Sequence, residues 1–267
     1  MENHIRRSLT RIRLALVVVI SLAAFAARLH AQADAQPAPA RVPFAVGEEL
    51  VFHATFGKLP AGTARMRVEG IDTVRGRPAF HVVFIVDGGI PLFRVHDRFE
   101  SWMDITTLSS LRYVQRISEG RYHRQTTYEL YPERAEFQKN DEAPAPSVEN
   151  PLDEGSFIYA ARAADIRVGD TLRVARYFVR ERNPVTFIGD RSDTVTVGAG
   201  TYATVVVRPS IKANGIFSEN GDAQVWFSDD ARRVPVLVKT HFAHFSLTLA
   251  LESATTNGAW ETAQKAP

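Results

Sequence analysis

"TARMRVEGI", residues 63–71, decides the fold class. Ala64, Met66 and Val68 alternate with Arg65, Arg67 and Glu69, a period of two that only an extended strand turns into one apolar and one charged face. The same reading extends outward. "ELVFHATF" precedes it, and "AFHVVFIV", almost wholly apolar, follows. Then come "FRVHDRFESWMD", "LRYVQRIS" and "RYHRQTTYELY", with strands resuming at Leu172. Turn residues separate many of these runs: "DGG" at 87–89, Asn214-Gly215 and Asn220-Gly221. The polar, Pro-rich stretch 140–151 interrupts the pattern. One short helix is expected after it, near 153–165, capped by Asp153, with Phe157, Ile158, Ala161 and Ala164 as its apolar stripe.

"VWFSDDARRVPV", residues 225–236, is the densest polar cluster in the chain. Asp229 and Asp230 follow a strand, and Pro235 opens the next, where a missing N–H is tolerated. The stretch therefore reads as a strand corner, with Asp229, Asp230, Arg232 and Arg233 exposed on it. "SWMDITTLSSLRYV" at 101–114 is the matching corner without the arginine pair. Other echoes share this order: "AVGEELVF" at 45–52 with "RVGDTLRV" at 167–174, "AGT" at 61–63 and 199–201, and "GI" at 89–90 and 215–216. They predict an internal duplication in which Trp102 and Trp226 are equivalent.

The N-terminus is a targeting segment rather than fold. Arg6, Arg7, Arg11 and Arg13 precede an uncharged run from Leu14 to Ala27, too short for a spanning helix. Ala31 and Ala33 then frame a cleavage site. Residues 1–33 hold five Arg and one Glu, so the remainder has 27 basic and 29 acidic residues and a net charge of −2. Nothing in that balance calls for nucleic acid or an anionic membrane surface. The chain has no cysteine, which removes disulfides, thiolate nucleophiles, Cys-held metals and a lipobox anchor. The domain plan is a signal peptide at 1–33, a linker at 34–41, a β domain at 42–253 with halves at about 44–139 and 166–253, and a flexible tail at 254–267.

"VPFAVGEELVFHATFGKLPAGTARMRVEG", "FRVHDRFESWMDITTLSSLRYV", "VGAGTYATVVVRPS" and "VWFSDDARRVPVLVK" resemble a bacterial family of exported proteins, domain of unknown function 3108, over about Val42 to Glu252. The resemblance implies a mostly antiparallel β fold in the cell envelope and carries over no activity, cofactor or catalytic residue. The hairpin "VWFSDDARRVPVLVK" is also similar to the Trp-strand, Asp turn and Pro-strand of periplasmic lipoprotein carriers, which are curled half-barrels with an apolar cavity.

Candidate chemistry is sparse. "HFAH" at 241–244 has metal-pair spacing for a helix, but on a strand His241 and His244 face opposite sides. No metal or cofactor is expected. There is no GxSxG, SxxK or GxxxxGK[ST] motif, and Ser156 reads as a helix-cap residue. Alternation puts Asp97 on the apolar face of its strand with Val95, Phe99 and Met103. A buried carboxylate needs a partner, and Arg112 on the next strand is the expected one. Asp97, Arg112, Trp102 and Trp226 are thus the candidate binding residues, each with a purely structural alternative. The 16 Phe, 7 Tyr and 3 Trp either fill a core or in part line a cavity.

The expectation is an all-β, single antiparallel meander curled into a barrel-like sheet. It would be a non-enzymatic envelope protein that binds an apolar or amphiphilic ligand such as a lipid or glycolipid, with no membrane span after signal cleavage. A structural or assembly factor for outer-envelope polymers is the alternative, and a hydrolase the third.

Overall fold

The computed structural model describes residues 39–90, 93–211, 222–242 and 245–255. The expected signal peptide, the Asn-Gly turns at 214 and 220, the second "GI" echo, His244 and most of the expected tail lie outside them.

Six strands follow one another as a meander: Glu49–Phe56 (β1), Leu59–Val74 (β2), Arg77–Ile90 (β3), Phe93–Asp104 (β4), Ser110–Glu119 (β5) and Tyr122–Tyr131 (β6). Two short strands follow, Glu136–Lys139 (β7) just before the Pro-rich stretch and Ala145–Pro146 (β8) within it, ahead of the helix Glu154–Ala163 (α1). Six more strands complete the chain: Thr171–Val174 (β9), Val185–Val197 (β10), Gly200–Ser210 (β11), Gln224–Ser228 (β12), Pro235–Phe242 (β13) and Phe245–Thr255 (β14). All pair antiparallel in one 14-stranded sheet of order β8-β7-β6-β5-β4-β3-β2-β1-β14-β13-β12-β11-β10-β9. The first and last strands meet in its middle, Glu49 opposite Thr255, and β8 and β9 are its edges.

The duplication is visible in the hydrogen bonds. Gly47 and Gly169 both take positive φ, 86° and 90°, which glycine adopts without a Cβ clash. Gly47 N–H donates to Val68 O and Gly169 N–H to Gly189 O, each at 2.8 Å. β1–β6 thereby match β9–β14. Trp102 and Trp226 are each followed at once by a register shift against the next strand. Each indole N–H donates over 2.9 Å to an aspartate two strands away, Asp72 on β2 and Asp193 on β10. In each half the tip of the second hairpin folds over its tryptophan and bonds the matching carbonyl: Arg75 reaches Leu130 O, and Ala199 N–H reaches Leu251 O. One echo is coincidental. The "AGT" at 61–63 opens β2, but its counterpart at 199–201 opens β11, which matches β3.

The helix differs from the expected amphipathic one. Asp153 does cap it, accepting from Gly155 and Ser156 N–H, and Ser156 Oγ accepts from Asp153 N–H in return. But Ser156, Phe157, Ile158, Tyr159, Ala161 and Arg162 are all buried, more than one stripe. The reason is position: α1 touches strands of both halves. Phe157 stacks on Phe187 of β10 at 4.7 Å, Tyr159 OH donates to Arg67 O of β2, and Ser110 Oγ of β5 donates to Ser156 Oγ. It is a plug inside the curled sheet.

Candidate functional site

The four sequence candidates do not form one site. Asp97 is buried on the inner face as alternation required, but Arg112 is not its partner. Asp97 accepts from Ser118 N–H at 2.9 Å and faces Glu119, whose carboxyl is pushed up by burial first and then by the Asp97 charge. Arg112 projects from the opposite face: it donates to Glu129 at 2.6 Å and lies 5.7 Å over the Trp102 ring. The pairing fails because Arg112 sits opposite Trp102, five residues along β4 from Asp97. Trp102 also stacks on His81 at 4.3 Å. Trp226 is buried in its own half, with Lys239 and Arg191 over its ring. Both tryptophans serve as covered packing residues beneath hairpin tips.

The corner 229–234 is a turn, as read, but not uniformly exposed. Asp230 Oδ1 accepts from Arg232 and Arg233 N–H and from Ser228 Oγ. Arg233, with φ of 46°, is buried, donates to Ile166 O at 2.8 Å and pairs with Asp165 at 3.0 Å. The corner is docked against the end of α1, and that contact turns Arg233 inward.

Two buried polar groups went unnoticed in the sequence. Arg162, on α1, makes a bidentate pair with Glu48 (2.6 and 2.9 Å) and donates to Pro43 O and Arg232 O. Glu48 is the acid of the repeated Val-Gly-acid motif, and Arg162 is the lone cation in "EGSFIYAARA"; those two signals could have flagged them. At the other end of α1, Ser101 Oγ donates to Asp153 at 2.6 Å, while Ser110 and Ser156 complete a sealed cluster. Burial pushes Asp153 up to about 6, although hydrogen bonds from Ser101, Ser156 and Ser110 pull the other way. Tyr177 OH donates to Glu154, and burial raises the phenol. These groups hold the plug to the wall, bonded to one another and to the backbone.

Part of the inner face lies beyond the residues that α1 is seen to touch. α1 bonds or stacks with residues toward the corner end of the strands: Ser101, Ser110, Arg67 and Phe187. Farther along, toward the β1–β2, β3–β4 and β5–β6 hairpins, inner-face residues are only half-buried. Phe84, Val86, Phe99 and Leu247 belong to this region and pack on the edge of the main core. Phe84 and Phe99 lie stacked at 6.1 Å, and Val86 faces Asp97 across the β3–β4 pair. Gly62 and Gly88 are opposite one another here, so close that a Cβ on Gly88 would come within 2.0 Å of Ala61 O. Side chains are absent where the wall is tightest. A groove of about 710 Å³ is lined by Thr107, Ser147, Asn150, Arg176 and Arg180, among others. Its arginines are already bonded to backbone carbonyls, Arg176 to Asn150 and Leu108, Arg180 to Ser147.

Fold and site together define a barrel-like antiparallel β protein, its sheet unclosed, with a buried helix against its inner face and half-buried apolar residues farther along that face. The family model described as "protein of unknown function (DUF3108)" matches residues 51–248, and the chain belongs to that family. Among solved structures it is similar to a β-barrel-like protein of domain of unknown function DUF1849 from Brucella abortus, at 9% identity and a TM-score of 0.50, covering 81% of this chain and 99% of that one. A candidate lipoprotein from Parabacteroides distasonis matches at 11% identity and a TM-score of 0.36, covering 82% and 100%. A candidate exported protein with a YmcC-like fold from Bacteroides fragilis matches at 12% and 0.31, covering 82% and 100%. No curated protein matches the sequence.

Proposed function

We propose that this is an exported envelope protein that holds an apolar or amphiphilic molecule, a lipid or glycolipid, against the open inner wall of its sheet, and that it acts by binding rather than by catalysis. The observation that carries the reading is the half-buried state of Phe84, Val86, Phe99 and Leu247, which face inward beyond the end of the helical plug. Apolar side chains facing into a concave sheet but left partly open are what an apolar ligand would cover, at about 25 cal/mol per Å² removed from water. Export is supported by the Arg-rich start followed by an uncharged run and the Ala-x-Ala site. The hydrolase reading loses support because the Ser101, Ser110, Ser156 and Asp153 groups are spent on one another beneath the plug.

The test is mass spectrometry of lipid extracted from protein purified natively from the envelope fraction. A defined lipid class at a stoichiometric amount supports the reading. Protein that carries no lipid and takes up none from a lipid extract overturns it.

A further inference from the structure

The hairpins that border the open wall carry their own pattern. In a continuous meander the β1–β2, β3–β4 and β5–β6 connections all emerge at one edge, and here they touch. Gly120 N–H donates to Arg94 O, a Cβ on Gly120 would meet the Phe93 ring at 3.1 Å, and Gly57 N–H donates to Ser246 O on the neighbouring β14. Along this rim Phe56, Leu59, Phe93 and Tyr122 are 45, 69, 47 and 53% exposed, four of the seven large apolar residues that stand out from the described surface. Three tips bring exposed cations as well: Lys58 beside Leu59, Arg94 beside Phe93, and Arg121 beside Tyr122. The nearest acids are engaged elsewhere, Asp87 with Arg65 and His96, and Glu119 with Asp97.

We infer that this rim is a membrane-docking edge that inserts Phe56, Leu59, Phe93 and Tyr122 into the interface of an anionic lipid surface while Lys58, Arg94 and Arg121 meet its headgroups. Exposed apolar and aromatic side chains with interleaved cations suit the headgroup boundary, where the apolar part enters and the charges stay in the polar layer. Each cation near such a surface contributes about 1 kcal/mol, screened by salt. A second copy of the chain would place cations against cations, so charge favours the lipid surface. The inference rests on the ligand reading in one respect, since it makes the bilayer the source or destination of the molecule held on the wall.

The experiment is co-sedimentation of the envelope-purified protein with vesicles of phosphatidylcholine alone or with phosphatidylglycerol added, at low and high salt. It is run on wild type, on Leu59→Asp/Phe93→Asp and on Lys58→Gln/Arg94→Gln/Arg121→Gln, alongside uptake of an apolar fluorophore. Wild type should prefer the anionic vesicles and release them at high salt. Each rim variant should bind them about tenfold or more weakly, with fluorophore uptake unchanged. Equal binding by wild type and both variants, no preference for anionic lipid, or self-association through the rim in place of vesicle binding overturns the docking edge. Loss of fluorophore uptake in wild type with vesicle binding intact would instead sink the ligand reading alone.

Discussion

The Arg233 guanidinium is buried against the chain leaving α1, where it donates to Ile166 O, whereas Arg232, its neighbour, is partly exposed and folds back on Asp230. Arg162 is deeper still, with Glu48 as its buried counter-charge. Loss of stability should follow that order. Arg162→Ala strands a buried carboxylate and should cost about 3–5 kcal/mol; Arg233→Ala loses charge-assisted bonds and should cost about 2–3 kcal/mol; Arg232→Ala should cost about 1 kcal/mol or less. Urea unfolding of the three variants checks the ranking, and an Arg232 effect equal to that of Arg162 would refute it. Asp153 adds a pH dependence of unusual sign. Its folded carboxyl is raised to about 6, so its contribution is fully present below the unfolded range near pH 4 and is lost as pH rises through 6, by about 3 kcal/mol at most. Asp230 does the reverse: bonds from Arg232 and Ser228 outweigh its burial and hold it low, so its contribution is lost as pH falls. Asp153→Asn keeps an acceptor for the cap and removes the titration. Stability measured from pH 4 to 7 should decline less in this variant than in wild type; identical profiles would contradict the assignment.

The element that repeats is a hairpin folded over a tryptophan. Trp226 is buried between β12 and the β10–β11 tip, while Trp102 is half-buried under the β2–β3 tip with Val74, Ala79 and Leu111. Trp226→Ala should therefore cost about 3–5 kcal/mol. Trp102→Ala should cost less, and the two losses should add because the sites share no partner. A strong coupling in the double variant, read from thermal unfolding, would show that the halves are not independent packing units. Part of this element was legible in the sequence. Each tryptophan is followed by a corner, and the Val-Gly-acid motif opens each half, because both are local backbone requirements. The bonded aspartates, Asp72 and Asp193, were not legible, since they come from strands two places away. Arg112 was assigned to Asp97 for a related reason: without the strand register, neither its height, opposite Trp102 and five residues from Asp97, nor its place on the opposite face could be read.

At the scale of the whole molecule, the two six-strand meanders join at one seam through β14 and β1, while the matching seam, β6 to β9, never closes. β7 pairs onto β6 and β8 onto β7 instead, and Leu152 bridges to Tyr177 across the gap. Period-two alternation was enough to read the strands and their faces, while the antiparallel, curled arrangement was what the family resemblance implied. That its helix would be the plug was not legible, because Phe157, Ile158, Ala161 and Ala164 suit a surface helix equally well, and only the surrounding wall buries Arg162 and Ser156. The extent of the plug in turn fixes how much inner wall is left for a ligand, and the account turns on that wall. Titration of an environment-sensitive apolar fluorophore into wild type and into Val86→Trp tests it most directly, since the larger side chain would fill the space beside Phe84 and Phe99. Saturable uptake by wild type, with affinity about tenfold or more weaker in a folded Val86→Trp, is the result expected. Uptake that is unaltered by the blocked wall, or absent from wild type, would contradict it.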